Sequence, residues 1–276
     1  MSCGEALPAV RVVSLTGSTN DDVRELARLG APQGTAVAAH AQSVGRGRRG
    51  HAWASPEGGL YLSIVLRPGV GPQNFVGLPA VCALGALRAV REATGLATRV
   101  GIKWPNDLVI DNRKLAGLLV EAGAGEGGSF AVLGIGINLA RPRATGEEVV
   151  PAPAGATSPS PLEPVYLADE LPAGALPDFE VLATLVRDRV VEACDAWASE
   201  VRGGRAKAGP LAPILSEYFD CVPMLGHPVV ALGPEGAEIC RGMFVAVDVW
   251  GRVTVRTSAG QEVMLAAEQA SLRSLE

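Results

Sequence analysis

Residues 99–138 read RVGIKWPNDLVIDNRKLAGLLVEAGAGEGGSFAVLGIGIN, and this stretch decides the fold. Arg99–Lys103, Leu108–Ile110, Leu115–Glu121 and Phe130–Ile137 are short apolar runs rich in β-branched residues, the pattern of successive strands. Asp111-Asn112 falls between two of them and reads as a hairpin turn, because both residues tolerate left-handed backbone. Outward to the N-terminal side, Val10–Leu15 is a further strand. Asp21–Leu29 then sets Val23, Leu26 and Ala27 on one helical face, with Ser18 or Thr19 as cap and Gly30 as stop. Thr35–Ala41 and Leu60–Leu66 read as strands. Phe75–Ala93 reads as a buried helix whose small residues Ala80, Ala83, Gly85 and Ala86 demand a close neighbour.

Outward to the C-terminal side, residues 141–177 are rich in Pro, Ala, Ser and Gly without periodicity, and are expected to form a mobile surface insertion. Asp178–Val201 repeats Leu182, Leu185, Val186, Val190 and Ala193 at helical spacing, and Leu211–Phe219 is a second, short helix. After Gly226 the apolar period becomes two, through Ile239, Val245, Val253, Val255 and Leu265, as in a small antiparallel barrel. The expected class is α+β, a mixed sheet with packed helices over residues 1–222 and a small β domain over 223–276.

Composition narrows the function. Of 276 residues 48% are apolar, enough for a sizeable core, so wholesale disorder is excluded. A net charge of −5 argues against a general nucleic-acid binder. The five cysteines are scattered, without a Cys-x-x-Cys pair, as in a reduced compartment. No basic and apolar leader opens the chain, and Phe75–Leu87 is short of a membrane span, so a cytoplasmic protein is expected.

Gln42–Gly59 is too polar for core and too long for a turn. Within it Gly45-Arg46-Gly47-Arg48-Arg49-Gly50 matches a dinucleotide fingerprint only formally, because Pro56, Gly58 and Gly59 prevent the helix that must follow. A P-loop fails too, since His51-Ala52 stand where Lys and Ser/Thr are required. What remains is a cradle for phosphate or carboxylate, because guanidinium binds both bidentately; a solvated basic turn is the alternative. Trp53 beyond it could stack on a base. Residues 43–55 are expected to be mobile without ligand, being Gly-rich and lacking apolar anchors.

Asn106-Asp107 ends a strand and could serve a ribose or magnesium, or could simply turn the chain. Lys114 stands at a strand mouth, either snorkelling or pointing into a site. Gly134 and Gly136 bare one strand face so that a ligand can lie against it, and Asn138 offers an amide at its end. Ser18-Thr19-Asn20 places three polar side chains at a strand-to-helix junction. His40, His51 and His227 lack metal-ligand spacing, and no Gly-x-Ser-x-Gly occurs.

In order and spacing, Ser18-Thr19-Asn20, Gln42 with the Gly-Arg loop and Trp53, Lys-Trp-Pro-Asn-Asp at 103–107, Arg-Lys-Leu-Ala-Gly at 113–117 and Gly-x-Gly-x-Asn at 134–138 resemble the biotin protein ligases. The resemblance implies a synthetase-like catalytic fold followed by an SH3-like barrel. It implies that Ser18, Thr19, Asn20 and Gln42 bind the ring end of biotin, and that Arg46, Gly47 and Arg48 close over its carboxylate and the adenylate phosphate. Lys114 would reach the carboxylate and the α-phosphate, with Arg48 beside it in catalysis. Arg48, Arg49, Trp53, Asn106, Asp107, Lys114 and Asn138 would serve ATP, with Asp107 nearest Mg2+. The implied partner is a biotin carboxyl carrier domain, with no DNA and no membrane; monomer and weak homodimer stay open. Lipoate ligation is the rival chemistry. A biotin-sensing repressor is disfavoured, because about ten residues before the first strand leave no room for a helix-turn-helix.

Overall fold

A computed structural model describes residues 6–48, 53–142 and 162–275. Its main body is a seven-stranded mixed sheet: β1 (Arg11–Thr16), β2 (Ala36–Gln42), β3 (Gly59–Leu66), β4 (Val100–Lys103), β5 (Asp107–Ile110), β6 (Arg113–Gly125) and β7 (Gly128–Asn138). The order is β1-β2-β3-β7-β6-β5-β4. β1 and β2 are parallel, so the chain must cross over between them, and helix α1 (Thr19–Arg28) makes that crossover. All other neighbours are antiparallel. Asp111 and Asn112 take φ of 49° and 59°, the left-handed pair of the expected tight hairpin.

Alternation along β3 assigns the two faces. Leu60, Leu62, Ile64 and Leu66 point into the large core with α2 (Leu78–Thr94) and α4 (Phe179–Arg202). Val65 points the other way, to Val23 and Ala27 of α1. Ser63, two residues earlier, shares the α1 face. Gly85 is the close approach that the small residues of α2 foretold: a Cβ there would lie 2.7 Å from Val190 Cα and 2.8 Å from the Arg189 carbonyl. Gly85→Ala should therefore destabilise by about 2 kcal/mol, the backbone collision outweighing the ~1 kcal/mol gained in helix propensity. The check is a lower urea midpoint; an unchanged one would mean that α4 gives way freely.

Four expectations need correction. The single helix from Phe75 is a 3-10 turn (Pro72–Gly77) followed by α2, because Pro79 fits only the first turn of a helix. The joined stretch, Pro72–Thr94, is long and apolar enough to cross a membrane, yet 67% of its apolar 18-residue window is buried inside the fold. The helix expected from Leu211 begins only at Leu215, after Pro213 (α5, Leu215–Asp220). Of the Pro-rich insertion, 143–161 lies outside the described residues, and the remainder is no loose surface loop. Val165 N donates to the Lys114 carbonyl at 2.9 Å, Val165 and Leu167 are buried, and α3 (Leu167–Glu170) ends on Glu170, paired with Arg99 and Arg113 at 2.8 Å each.

The C-terminal β unit contains β8 (Pro228–Leu232), β9 (Glu238–Val247), β10 (Val253–Arg256), β11 (Glu262–Leu265) and β12 (Ser271–Ser274), in the order β11-β10-β9-β8-β12. No ladder joins β11 to β12 among the described residues, so the barrel is an open five-stranded sheet. It shares the core of the main body. Phe244, Val253 and Leu272 belong to the same core as α2 and α4, and Trp104 Nε1 donates to the Gly251 carbonyl at 2.9 Å.

Candidate active site

The α1 face of the sheet builds a trough floored by glycine. Gly117 of β6 and Gly136 of β7 are register partners, and the indole of Trp53 lies on both. A Cβ at Gly117 would stand 2.7 Å from the ring and one at Gly136 2.6 Å from Nε1. Only glycine admits a plate there. The bared face thus carries Trp53 in this structure, and Trp53 Nε1 is buried without a hydrogen-bond partner. Trp53 is also the apolar anchor that the loop was expected to lack. Its backbone N–H donates to the Gly45 carbonyl at 3.0 Å.

One end of the trough is a polar knot. Gln42 Oε1 accepts from Thr19 N at 2.9 Å and from Thr19 Oγ1 at 3.1 Å, while Gln42 Nε2 donates to Ser55 Oγ at 2.9 Å. Ser63 Oγ lies 2.5 Å from Asn20 Oδ1 and 2.8 Å from Thr19 Oγ1. The Ser63 and Thr19 hydroxyls carry two protons between them, and three close oxygen contacts compete for those protons. The knot is short of donors, so a ligand that brings N–H groups fits it. Ser18 sits at the N-cap position but makes no side-chain cap bond, and neither does Thr19, whose hydroxyl is turned to Gln42. Ser18 is thus the N-cap that the sequence predicted, by backbone position and without a side-chain bond, while the Thr19 hydroxyl belongs to the knot.

The other end is cationic. Lys114 Nζ bonds Asp107 Oδ1 at 2.8 Å and lies 4.8 Å from the centroid of the Trp53 ring. Buried Lys103 approaches Asp107 Oδ2 at 3.8 Å, and burial pulls its ammonium down to about 8. Burial alone would raise the Asp107 pKa; Lys114 and Lys103, helped by Arg273 of β12, hold it below the ordinary carboxylate range. Asn106 binds the Leu118 carbonyl through Nδ2 at 2.5 Å, and Asn138 Nδ2 donates to the Lys114 carbonyl at 3.0 Å. Arg48 donates to Asn106 Oδ1 at 3.1 Å and to the Ala267 carbonyl at 2.9 Å.

The structure therefore gathers Thr19, Asn20, Gln42, Trp53, Asp107, Lys114, Asn106, Asn138 and Arg48 around one trough. Ser18 and Gly47 flank it in sequence. Arg49 lies outside the described residues. Arg46 is not brought to the cationic end: its guanidinium pairs with Asp21 near the polar knot. Sequence reading missed Ser63, Ser55, Glu121 and Arg273, and it named Lys103 within its motif without giving it a role. Ser63 had one signal, as the only hydroxylated side chain in the buried run of β3 apart from Tyr61.

Asp107 does not fit the expected magnesium. Both its oxygens face lysines, and no cluster of three metal-ligating side chains occurs among the described residues.

A mixed sheet with a glycine-floored trough, a polar knot at one end and cations at the other has the form of a small-molecule site. Comparison with known proteins places the chain in a family. Residues 12–138 match the Biotin/lipoate A/B protein ligase family. The biotin--[acetyl-CoA-carboxylase] ligase of Paracoccus denitrificans is 34% identical over 93% of this chain and 98% of its own. A bifunctional ligase/repressor of Escherichia coli is 42% identical over 49% of this chain and 42% of its own. Among solved structures, the biotin protein ligase of Aquifex aeolicus in complex with biotin and ATP superposes with a TM-score of 0.72 at 26% identity, covering 97% of this chain and all of that one. This chain belongs to the biotin/lipoate protein ligase family, on its biotin protein ligase branch.

Proposed function

We propose that the chain is an ATP-dependent ligase that joins biotin to a lysine of a biotin carboxyl carrier domain. One observation carries the reading: the trough has a donor-hungry knot at one end and an anion-collecting end at the other. A bicyclic urea with a carboxylate tail has that polarity. Its N–H groups supply the donors that Thr19, Asn20, Gln42 and Ser63 lack, and its carboxylate runs to Lys114.

Along the trough the apolar bicycle replaces or slides under the Trp53 indole. The carboxylate oxygen attacks the α-phosphorus of MgATP and pyrophosphate leaves, giving biotinyl-5′-AMP. Lys114, held by Asp107, faces the charge gathering between the two anions, and Arg48 faces the phosphate. Arg49, Trp53, Asn106 and Asn138 are assigned to the nucleotide side, Ser18 and Gly47 to the biotin side. A carrier lysine amine then attacks the acyl carbon, the amide forms, and AMP departs with the electron pair of the anhydride bond. No nucleophile of the enzyme's own is required. Residues 223–276 act as a C-terminal unit that lends Ala267 and Arg273 to the site.

The test is incubation with ATP, biotin and a biotin carboxyl carrier domain, followed by a streptavidin blot. Lipoate with a lipoyl carrier runs in parallel. Labelling of the biotin carrier alone is expected; lipoate transfer without biotin transfer would overturn the reading.

A further inference from the structure

The Gly45–Arg48 segment spans the trough with its two arginines fixed at opposite ends. Arg48 holds Asn106 and the Ala267 carbonyl. Arg46 pairs with Asp21, in the first turn of α1, and lies 3.7 Å from Glu121 Oε2 on β6. Glu121 also accepts from Asn20 Nδ2 at 2.9 Å and pairs with Arg24, while Arg24 reaches back to Asp21 Oδ1 at 3.1 Å. Two carboxylates and two guanidiniums thus close a ring that is tied to Asn20 of the polar knot. Ser43 N and Val44 N donate to the Thr16 and Gly17 carbonyls at 3.0 and 2.8 Å, which brings the segment to the end of β1 beside this ring.

Single ion pairs at such exposure contribute little, and networks contribute more. Their leverage here lies in position. Gly45 and Gly47 flank Arg46, so the segment has little stiffness of its own and goes where its arginines are held. The sequence had suggested that Arg46 turns to the ligand's carboxylate, yet its guanidinium sits on the far side of Asn20 from Lys114.

We propose that Asp21 and Glu121 are positioning residues of this site: acting through Arg46, they hold Gly45–Arg48 across the trough and so slow the escape of the acyl-adenylate. Neither touches the reacting atoms. The proposal rests on the biotin ligase reading above.

Asp21→Asn keeps the side-chain size and removes the charge. Adenylate formation should stay within about twofold of wild type, while biotinyl-5′-AMP is lost from the purified enzyme about threefold to tenfold faster, read by rapid gel filtration. High salt should speed that loss in wild type and change it little in the variant. A charge swap separates the pair from a merely structural effect. Asp21→Lys and Arg46→Glu should each lose adenylate quickly, and the double variant should recover most of the retention. Retention in Asp21→Asn equal to wild type, or a double variant no better than either single, would overturn the proposal. Should wild type form no biotinyl-5′-AMP, the ligase reading fails instead. Amide exchange then decides on positioning alone: Asp21→Asn must speed exchange at Val44–Arg48, and equal exchange sinks it.

Discussion

Lys114→Ala is expected to lower biotinyl-5′-AMP formation by at least ~100-fold, the scale of losing one charged transition-state contact. The side chain stands between Asp107 at 2.8 Å and the Trp53 ring at 4.8 Å, so it is aimed along the trough. The other nearby cations cannot replace it. Lys103 is buried beneath Asp107, and Arg48 is held on Asn106 and the Ala267 carbonyl. The fold should survive. The Lys114 side chain is 25% exposed, and Lys103 and Arg273 remain to balance Asp107 once it is gone. The loss should appear in the rate of the first half-reaction, with transfer from added biotinyl-5′-AMP to the carrier much less affected. Adenylate formation at the wild-type rate would remove Lys114 from the mechanism.

Why Lys114 was readable from sequence, and its partners were not, follows from the range of the interactions. Strands and helices report themselves through local periodicity, so β1 to β7, α1 and α4 stand within a few residues of where their apolar patterns put them. Motif order supplied the site's cast, because Ser-Thr-Asn, the Gly-Arg loop and Lys-Trp-Pro-Asn-Asp each look unusual by themselves. The partners that orient them have no local signal. Glu121 meets Asn20 across 101 positions, and Arg48 meets Ala267 across 219. Nothing in a strand's own alternation marks one of its carboxylates as a brace. Trp53 and the paired glycines were each conspicuous in sequence, but only the register of β6 against β7 reveals that the indole needs both to be glycine. The Val165-Leu167 anchor was hidden for another reason: two apolar positions among prolines are too few to establish any period.

The same long-range logic gives Arg48→Gly its expected effect, which is on fidelity more than rate. The Arg48 guanidinium joins the loop to Asn106 of the sheet at 3.1 Å and to the C-terminal unit through the Ala267 carbonyl at 2.9 Å. Glycine removes both bonds and adds backbone freedom to a segment that already holds Gly45 and Gly47. The attack on the α-phosphorus still has Lys114. What is lost is the clamp on the finished adenylate, whose phosphate a guanidinium can hold bidentately. The variant should therefore continue to make biotinyl-5′-AMP, release it, and biotinylate lysines on proteins that are no carrier at all. Serum albumin incubated with ATP, biotin and each enzyme, then blotted with streptavidin, reads this directly. Wild type should leave albumin nearly blank and Arg48→Gly should label it at least ~10-fold more strongly, since one charge-assisted contact of about 1.5–3 kcal/mol changes retention by that order or more. If the variant consumes ATP yet labels albumin no more than wild type, retention does not depend on this arginine, and the closure of the site must be sought in Arg46 and its carboxylates.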